Sequence, residues 1–312
     1  MYRFSNVVFY VIISVSIFCN MKYLSPYLYM LGASFCFSIM SICGSLIGDS
    51  LSWIAISFFR ILPTFIFILI FALLIGEKPI LIGSFSLWLR SIFGTVALLC
   101  TFYSLSHLHA TDTVTIFATT PIWIGFIMAI VFKDKAPPLL WVFVISTFIG
   151  ICIIERPQFQ GNVIPIFIAF IGAICAGSAM VSLSFCGKIT PITVVSHYSM
   201  VAVITSFILF CFYCSQFSNI IVIMKKYYLL LIVIGVSGTV GQIFLTNAYG
   251  NGKPQWISIL GLSQVLITMM IELFLNRMKV DIYHLIGMIM VLFSISCVIW
   301  IKPLNKNISK PI

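Results

Sequence analysis

The segment WLRSIFGTVALLCTFYSLSHLHATDTVTIFATTPIWIGFIMAIVFKDK, residues 88–135, decides the fold of this chain. With the apolar run that follows it as far as Pro157, it contains three apolar segments separated by short polar breaks. At a rise of about 1.5 Å per residue, a helix formed by each segment is long enough to cross a bilayer. Only helices fit, because open strands would leave backbone groups unpaired in lipid.

The same pattern occurs a second time, 144 positions later in the chain. The residues that coincide at this shift are a glycine and the basic residues of a short turn, in the pairs Gly94 and Gly238, Lys133 and Arg277, and Lys135 and Lys279. Pro157 and Pro303 correspond with two residues of slippage. The matching order of apolar runs, short loops and a basic turn indicates an internal repeat.

Composition places the chain in a membrane. Of its residues 62% are hydrophobic and only 8% are charged, whereas soluble domains have about a quarter charged residues. The net charge of +10 does not indicate nucleic acid, because the basic residues lie mostly between apolar runs, where they orient helices. The cysteines lie mainly inside apolar runs and the acidic residues are spread singly, so we predict neither a metal nor a cofactor.

The apolar runs predict an all-α polytopic membrane protein with ten transmembrane helices. The predicted spans are 25–47, 52–75, 82–105, 113–132, 138–154, 163–186, 192–214, 228–249, 255–275 and 283–301. Nine basic residues lie in the loops on the side of the chain ends and five in the opposite loops, which predicts that both ends are cytoplasmic.

Because each half has an odd number of spans, five, the second half enters the membrane from the opposite side and is inverted relative to the first. The predicted organisation is therefore two inverted five-helix repeats, at residues 21–157 and 158–303, and a basic cytoplasmic tail at 304–312. Residues 1–20 are interpreted as an upstream extension or an extra N-terminal helix. Inverted repeats are the architecture of alternating-access carriers, which bind substrate near the midplane between the halves.

Short motifs along the chain carry a family resemblance. They are SFFR at 57–60, WLR at 88–90, FYSL at 102–105, HATD at 109–112, FATTP at 117–121 and KDK at 133–135. With these motifs the chain resembles the drug/metabolite transporter superfamily, and within it the EamA-type carriers of ten helices. The resemblance implies a secondary transporter in the inner (cytoplasmic) membrane of a bacterium, moving a small polar or amphipathic metabolite. Import, export and exchange all stay open.

Charged residues inside the spans are candidates for function, because a charge at the bilayer centre costs at least about 2.5–3.5 kcal/mol unless a partner or water compensates it. Arg60 is the deepest basic residue and is predicted to hold an anionic group or another side chain. The side chain of Arg90 either snorkels to the cytoplasmic interface or has a functional role within the membrane-spanning region. Glu272 either lies at an interface or couples protons, and Asp112 is expected to cap a helix.

Polar uncharged residues complete the predicted site. The predicted substrate-binding set is Arg60, Tyr103, Thr119, Gln242, Asn247 and Gln264, and the gating or coupling residues are Pro121 and Glu272. The alternative is that these hydroxyls and amides only join helices, and that Pro121 is a static bend. The expected partners are the substrate, the lipid bilayer and, as an open option, a second copy forming a homodimer.

One motif argues for another class of protein. Residues 235–238 read Gly-Val-Ser-Gly, a form seen around the nucleophile of intramembrane serine proteases. A nucleophilic Ser237 would need a base within hydrogen-bond reach. The only later histidine, His284, begins the tenth span, whereas Ser237 lies near the middle of the eighth. We therefore predict a protein that is not an enzyme and keep the protease as the alternative.

Overall fold

The computed structural model describes residues 25–48, 52–77, 83–159, 163–213, 217–275 and 280–301, and in this part all regular structure is α-helical. Its helices are α1 Pro26–Gly48, α2 Trp53–Ile75, α3 Phe85–His107, α4 Ala110–Phe117, α5 Thr120–Ile130, α6 Pro138–Glu155, α7 Val163–Ser184, α8 Pro191–Tyr213, α9 Phe217–Asn251, α10 Pro254–Gly261, α11 Ser263–Phe274 and α12 Ile282–Trp300. The predicted extension at 1–20, the tail at 304–312 and the basic turn at Arg277 and Lys279 lie outside the described residues.

Within that part, ten helical stretches are long and apolar enough to cross a membrane, so the ten predicted spans are confirmed. Two spans consist of two helices each: α4 and α5 form the fourth, Ala110–Ile130, and α10 and α11 form the ninth, Pro254–Phe274. The eighth span, Lys226–Asn251, is the larger part of α9, which is kinked at Tyr227.

The two divided spans are interrupted at corresponding places. The fourth span breaks at Ala118 and Thr119, and the ninth breaks at Leu262, which lies 144 residues after Ala118. Pro121 lies in the first turn of α5, where a missing backbone N–H removes no helical hydrogen bond. The sequence predicts a gating residue or a static bend at Pro121, and the structure has the start of a new helix there.

Packing between the halves follows a regular scheme. The first span packs on the eighth, the third on the sixth, the second on the seventh and the fifth on the tenth. When each span is replaced by its counterpart five spans away in the chain, the pair of the first and eighth spans becomes the pair of the sixth and third. The pair of the second and seventh spans and the pair of the fifth and tenth stay the same. The contacts therefore have the pattern expected of two halves related by a two-fold axis. The inverted insertion of the second half stays a prediction.

Gly94 and Gly238, the glycines that coincide at the 144-residue shift, both lie at close side-chain contacts. A Cβ on Gly94 would lie 2.9 Å from Cε2 of Tyr198 and would also clash with the guanidinium of Arg90. A Cβ on Gly238 would lie 2.7 Å from Oγ1 of Thr64. Both glycines therefore have a packing role, and at Gly94 the missing Cβ makes room for an arginine.

Candidate functional site

Arg90 is buried between the two halves of the molecule. It lies one and a half turns into α3 and is 2% exposed. Its Nη2 donates a hydrogen bond to Oε1 of Gln242 on α9 at 3.0 Å, and its Cζ lies 4.3 Å from the ring centroid of Tyr198 on α8. The interpretation that Arg90 snorkels to the cytoplasmic interface is wrong, because its side chain contacts the opposite half.

Arg60 lies on the neighbouring helix α2 and is half-buried. Its Cζ is 5.0 Å from the ring centroid of Phe102 on α3, a cation–π contact within the first half. Ile61, the residue after Arg60, belongs to the same buried cluster as Tyr198, and Tyr198 also lies under Arg90. Two arginines of the first half therefore lie near one tyrosine of the second.

His197, next to Tyr198, extends this cluster. It is 1% exposed, its Nδ1 lies 2.7 Å from Oγ of Ser91, and its ring meets Trp88 edge-on with centroids 4.6 Å apart. Nε2 of His197 and Nε of Arg90 are both buried without a hydrogen-bond partner. Buried polar nitrogens are normally paired, so these two mark a site that protein atoms alone do not satisfy.

The cluster contains no acid to balance its arginines. Among the described residues, the ion pairs within 4.0 Å are those of Asp281 with Arg156 and with His284. In that part of the chain, neither Arg60 nor Arg90 has a carboxylate at this distance. The cluster is therefore a positively charged region, lined by the neutral groups of Gln242, Tyr198 and His197.

Sequence reasoning missed Tyr198, Ser91 and Trp88 as members of this cluster. The local signal was weak, because a tyrosine or serine in an apolar span is usually a packing residue. A usable signal was the spacing of Arg90 and Gly94, one helical turn apart on the same face of α3. A glycine at that place allows a large side chain from the preceding turn to lie along the helix.

The two predicted glutamines both make contacts between the halves. Gln242 accepts from Arg90, as described. Nε2 of Gln264 lies 3.5 Å from Oγ of Ser41 on α1, and the backbone oxygen of Gln264 accepts from Ser38 at 3.0 Å. These contacts join the first span to the ninth, away from the hydrogen bond between Arg90 and Gln242.

The other predicted polar residues make local contacts. Nδ2 of Asn247 donates to the Ile243 oxygen at 3.0 Å, one turn back in its own helix, so the structure gives Asn247 and Gln242 no common partner. Oγ1 of Thr119 donates to the Ile116 oxygen at 2.6 Å and accepts from Nε1 of Trp123 at 3.1 Å. The latter two bonds hold the break between α4 and α5.

Tyr103 lies toward the other end of α3 and makes two aromatic contacts. Its ring stacks on that of His107 at 4.2 Å and meets Trp53 edge-on at 5.4 Å. Because Trp53 begins α2, these contacts tie the second and third spans together near one membrane surface. Tyr103 is half-buried and no contact joins it to Arg90 or Gln242.

The acidic residues lie near the ends of the spans. Glu272 is half-buried near the end of α11, and Glu155 is the last residue of α6. The expectation that Asp112 caps a helix is wrong, because His109 is the N-cap of α4. Asp112 is instead fully buried and accepts from the backbone N–H groups of Gln158 at 2.7 Å and Phe159 at 3.3 Å, fixing the chain after α6.

Ser237 shows no activated nucleophile. Its Oγ donates to the Val233 oxygen at 2.6 Å, within α9, which is the usual back-bond of a serine inside a helix. The later histidine, His284, is half-buried at the start of α12, where its side chain accepts from the backbone N–H of Asp281 in a capping box.

Comparison with known proteins agrees with this architecture. The EamA-like transporter family matches residues 24–156 and 163–300. Two proteins named uncharacterized transporter, from two strains of Helicobacter pylori, are 26% and 24% identical to the chain, each over 89% of it and 95% of their own length. Human solute carrier family 35 member G1 is 25% identical over 78% of this chain and 70% of its own.

The fold also occurs among solved structures. One crystal structure superposes on this chain with a TM-score of 0.75, covering 87% of this chain and 95% of the other. The two sequences are only 10% identical, so this likeness concerns the fold alone.

Proposed function

This chain belongs to the EamA-like transporter family, and on that premise we propose that it is a secondary carrier for a small polar or amphipathic metabolite in the cytoplasmic membrane of a bacterium. The protein is a multi-pass membrane transporter and not an enzyme, as its family and its named relatives are transporters. The alternative of a serine protease using Ser237 is therefore wrong.

The observation that carries the proposal is the buried hydrogen bond between Arg90 of the first half and Gln242 of the second. Carriers built from repeated halves bind their substrates at the interface of the repeats, near the midplane. Ionisable residues inside a membrane protein generally face such an interface or a water-filled path. The hydrogen bond between Arg90 and Gln242 joins the two halves and so supports a site at their interface.

Alternating access between two inverted halves is the proposed mechanism. It is supported by the exchange pattern of packed spans and by the matching breaks at Ala118 and Leu262. Interrupted helices of this kind commonly lie at substrate sites in carriers with repeated halves. Pro121, in the first turn after one break, is the proposed gating residue, and Glu272 is the proposed coupling residue.

The proposed substrate site combines the predicted residues with one that sequence reasoning left open. Its members are Arg60, Arg90, Tyr103, Thr119, Gln242, Asn247 and Gln264. Arg90 and Gln242 form its centre, since they contact each other across the halves. Tyr103, Thr119 and Asn247 have partners within their own half in this structure, and Gln264 contacts the first span. We propose that all four contact substrate in another state of the cycle.

A metabolite-wide comparison of uptake and efflux tests the function. Bacterial cells with and without the protein are compared by mass spectrometry of internal and external solutes. We expect a small set of chemically related polar metabolites to change, and the sign of the change gives the direction of transport. Identical profiles, with the protein demonstrated in the membrane by antibody, would contradict a carrier function.

A further inference from the structure

We propose that the transported solute carries an anionic group, a carboxylate or a phosphate, and that Arg90 binds this group together with Arg60. This inference rests on the proposed carrier function and specifies its substrate class. It follows from the charges and unpaired nitrogens of the cluster formed by Arg60, Arg90, Tyr198, His197 and Gln242.

The positive charges of Arg90 and Arg60 are not balanced by nearby carboxylates among the described residues. Arg90 is 2% exposed, and its hydrogen-bond partner Gln242 is neutral. Within the described ranges no carboxylate lies within 4.0 Å of Arg90 or of Arg60. A buried cation inside a membrane protein requires compensation. An anion that enters with the substrate supplies the charge that the protein does not provide.

Two nitrogens of the cluster have no hydrogen-bond partner. Nε of Arg90 is buried without a partner, although its guanidinium carries five N–H donors in a fixed plane. Such a fork binds the paired oxygens of a carboxylate or a phosphate. Nε2 of His197 is also buried without a partner and is a second unpaired nitrogen of the cluster.

Contacts within the cluster hold its side chains in place. Tyr198 lies under the guanidinium of Arg90 at 4.3 Å, and the absence of a Cβ at Gly94 leaves room for both groups. Ile61, next to Arg60 in α2, packs in one buried cluster with the same tyrosine. Ser91 holds Nδ1 of His197 at 2.7 Å, which fixes the ring position. The arginines and the histidine are thus oriented before any ligand arrives.

The competing view is that Arg90 only ties the halves together through Gln242. The variant Gln242→Glu separates the two views, because it places a carboxylate where Oε1 now lies, 3.0 Å from Nη2. If Arg90 binds an anionic ligand, a carboxylate at position 242 competes with that ligand. If Arg90 only holds the halves together, the carboxylate strengthens the contact between positions 90 and 242. Asn251→Asp is the matched control: it makes the same amide-to-carboxylate change in α9, at an exposed position near the end of the helix.

The experiment uses proteoliposomes of the full chain and a ¹³C-labelled small-molecule extract of bacterial cells as the probe. Mass spectrometry identifies the solutes that enter, sorted by charge. A second arm uses extract treated with phosphatase, so that phosphate esters lose their signal and carboxylates keep it. Thermal unfolding in detergent verifies that each variant is folded.

We expect anionic solutes to enter wild-type vesicles. Gln242→Glu should lower their entry about ten- to hundredfold, the loss of a hydrogen bond to a charged group, with an unchanged or raised unfolding midpoint. Asn251→Asp should transport as wild type does. Entry of only neutral or cationic solutes would overturn the anionic substrate, and undiminished anion entry in folded Gln242→Glu would overturn its binding by Arg90. Either result would leave the carrier function intact. Entry no greater than in protein-free vesicles would overturn both proposals.

The wild-type result decides the substrate class even if Gln242→Glu does not fold. In that case the charge of the solutes that enter wild-type vesicles is sufficient, because it is measured without any variant.

Discussion

Arg156, the residue after α6, forms an ion pair with Asp281, the N-cap of α12. The pair joins the fifth span of the first half to the tenth span of the second, on the predicted outer side. Arg156 has a left-handed backbone (φ 48°) and its Cζ lies 4.3 Å above the ring centroid of Tyr283. Because both charged side chains are about half exposed, water screens this contact, unlike that of Arg90 with Gln242.

The first prediction concerns the pH dependence of stability at Asp281. The backbone N–H of His284, and then the side chains of Arg156 and His284, lower the pKa of Asp281 from 3.8 to about 2. A lowered pKa stabilises the folded state above the unfolded value, and this contribution is lost as the pH falls from about 4 toward 2. We expect wild type to lose more thermal stability over that window than Asp281→Asn. Parallel midpoint curves for the two proteins would contradict this.

The second prediction concerns Arg60. Arg60→Ala should abolish transport, and Arg60→Lys should weaken it more than it harms folding, because lysine keeps the charge but lacks the planar fork. Flux and unfolding midpoint are measured on the same preparations. Cysteine accessibility to water-soluble reagents, on a background without native thiols, provides the control. If positions 60, 242 and 247 are unreactive in every state, the cavity assignment is wrong.

The third prediction compares the two amides of α9. Gln242→Ala should raise the apparent substrate constant, because Oε1 of Gln242 orients Arg90 at 3.0 Å. Asn247→Ala should raise it less, since the amide of Asn247 is bonded to its own helix at 3.0 Å. Concentration-dependent uptake measures both constants. An equal or larger effect at Asn247 would mean that another state of the carrier frees its side chain.

The fourth prediction concerns space at Gly94. Gly94→Ala places a Cβ against Arg90 and 2.9 Å from Cε2 of Tyr198, so it should displace both and lower stability by about 1–3 kcal/mol, a typical cost of overpacking. Transport should fall with it. The control is Gly44→Ala in α1, where a Cβ would meet nothing within 4 Å. Equal unfolding midpoints for the two variants would show that Arg90 can move aside freely.

The fifth prediction concerns topology. A reporter fused after Pro303 should lie in the cytoplasm, and a reporter inserted between Cys214 and Lys225 should lie outside. The reason is the excess of basic residues on the side of the chain ends, combined with five spans in each half. Alkaline phosphatase and fluorescent-protein activities measure the two locations. Both reporters on the same side would remove the inverted repeat and the alternating-access argument built on it.

The sequence by itself determined the ten spans, the helical class and the family. Each of these depends on local properties: the length of an apolar run, the short polar breaks and motifs such as SFFR at 57–60. A run of about twenty apolar residues has few alternatives to a spanning helix, because lipid cannot pair its backbone groups.

Only the tertiary structure decided which polar residues meet. It buried Arg90 against Gln242 and Tyr198, assigned Asp112 to the chain after α6, and left Asn247 bonded to its own helix. In a soluble protein, a polar stripe marks the exposed face of a helix and so predicts its orientation. Here lipid and protein neighbours are both apolar, so a span is apolar all round. The sequence of a span therefore does not determine how the helix is rotated about its own axis. Packing against neighbouring helices determines which residues face the other half.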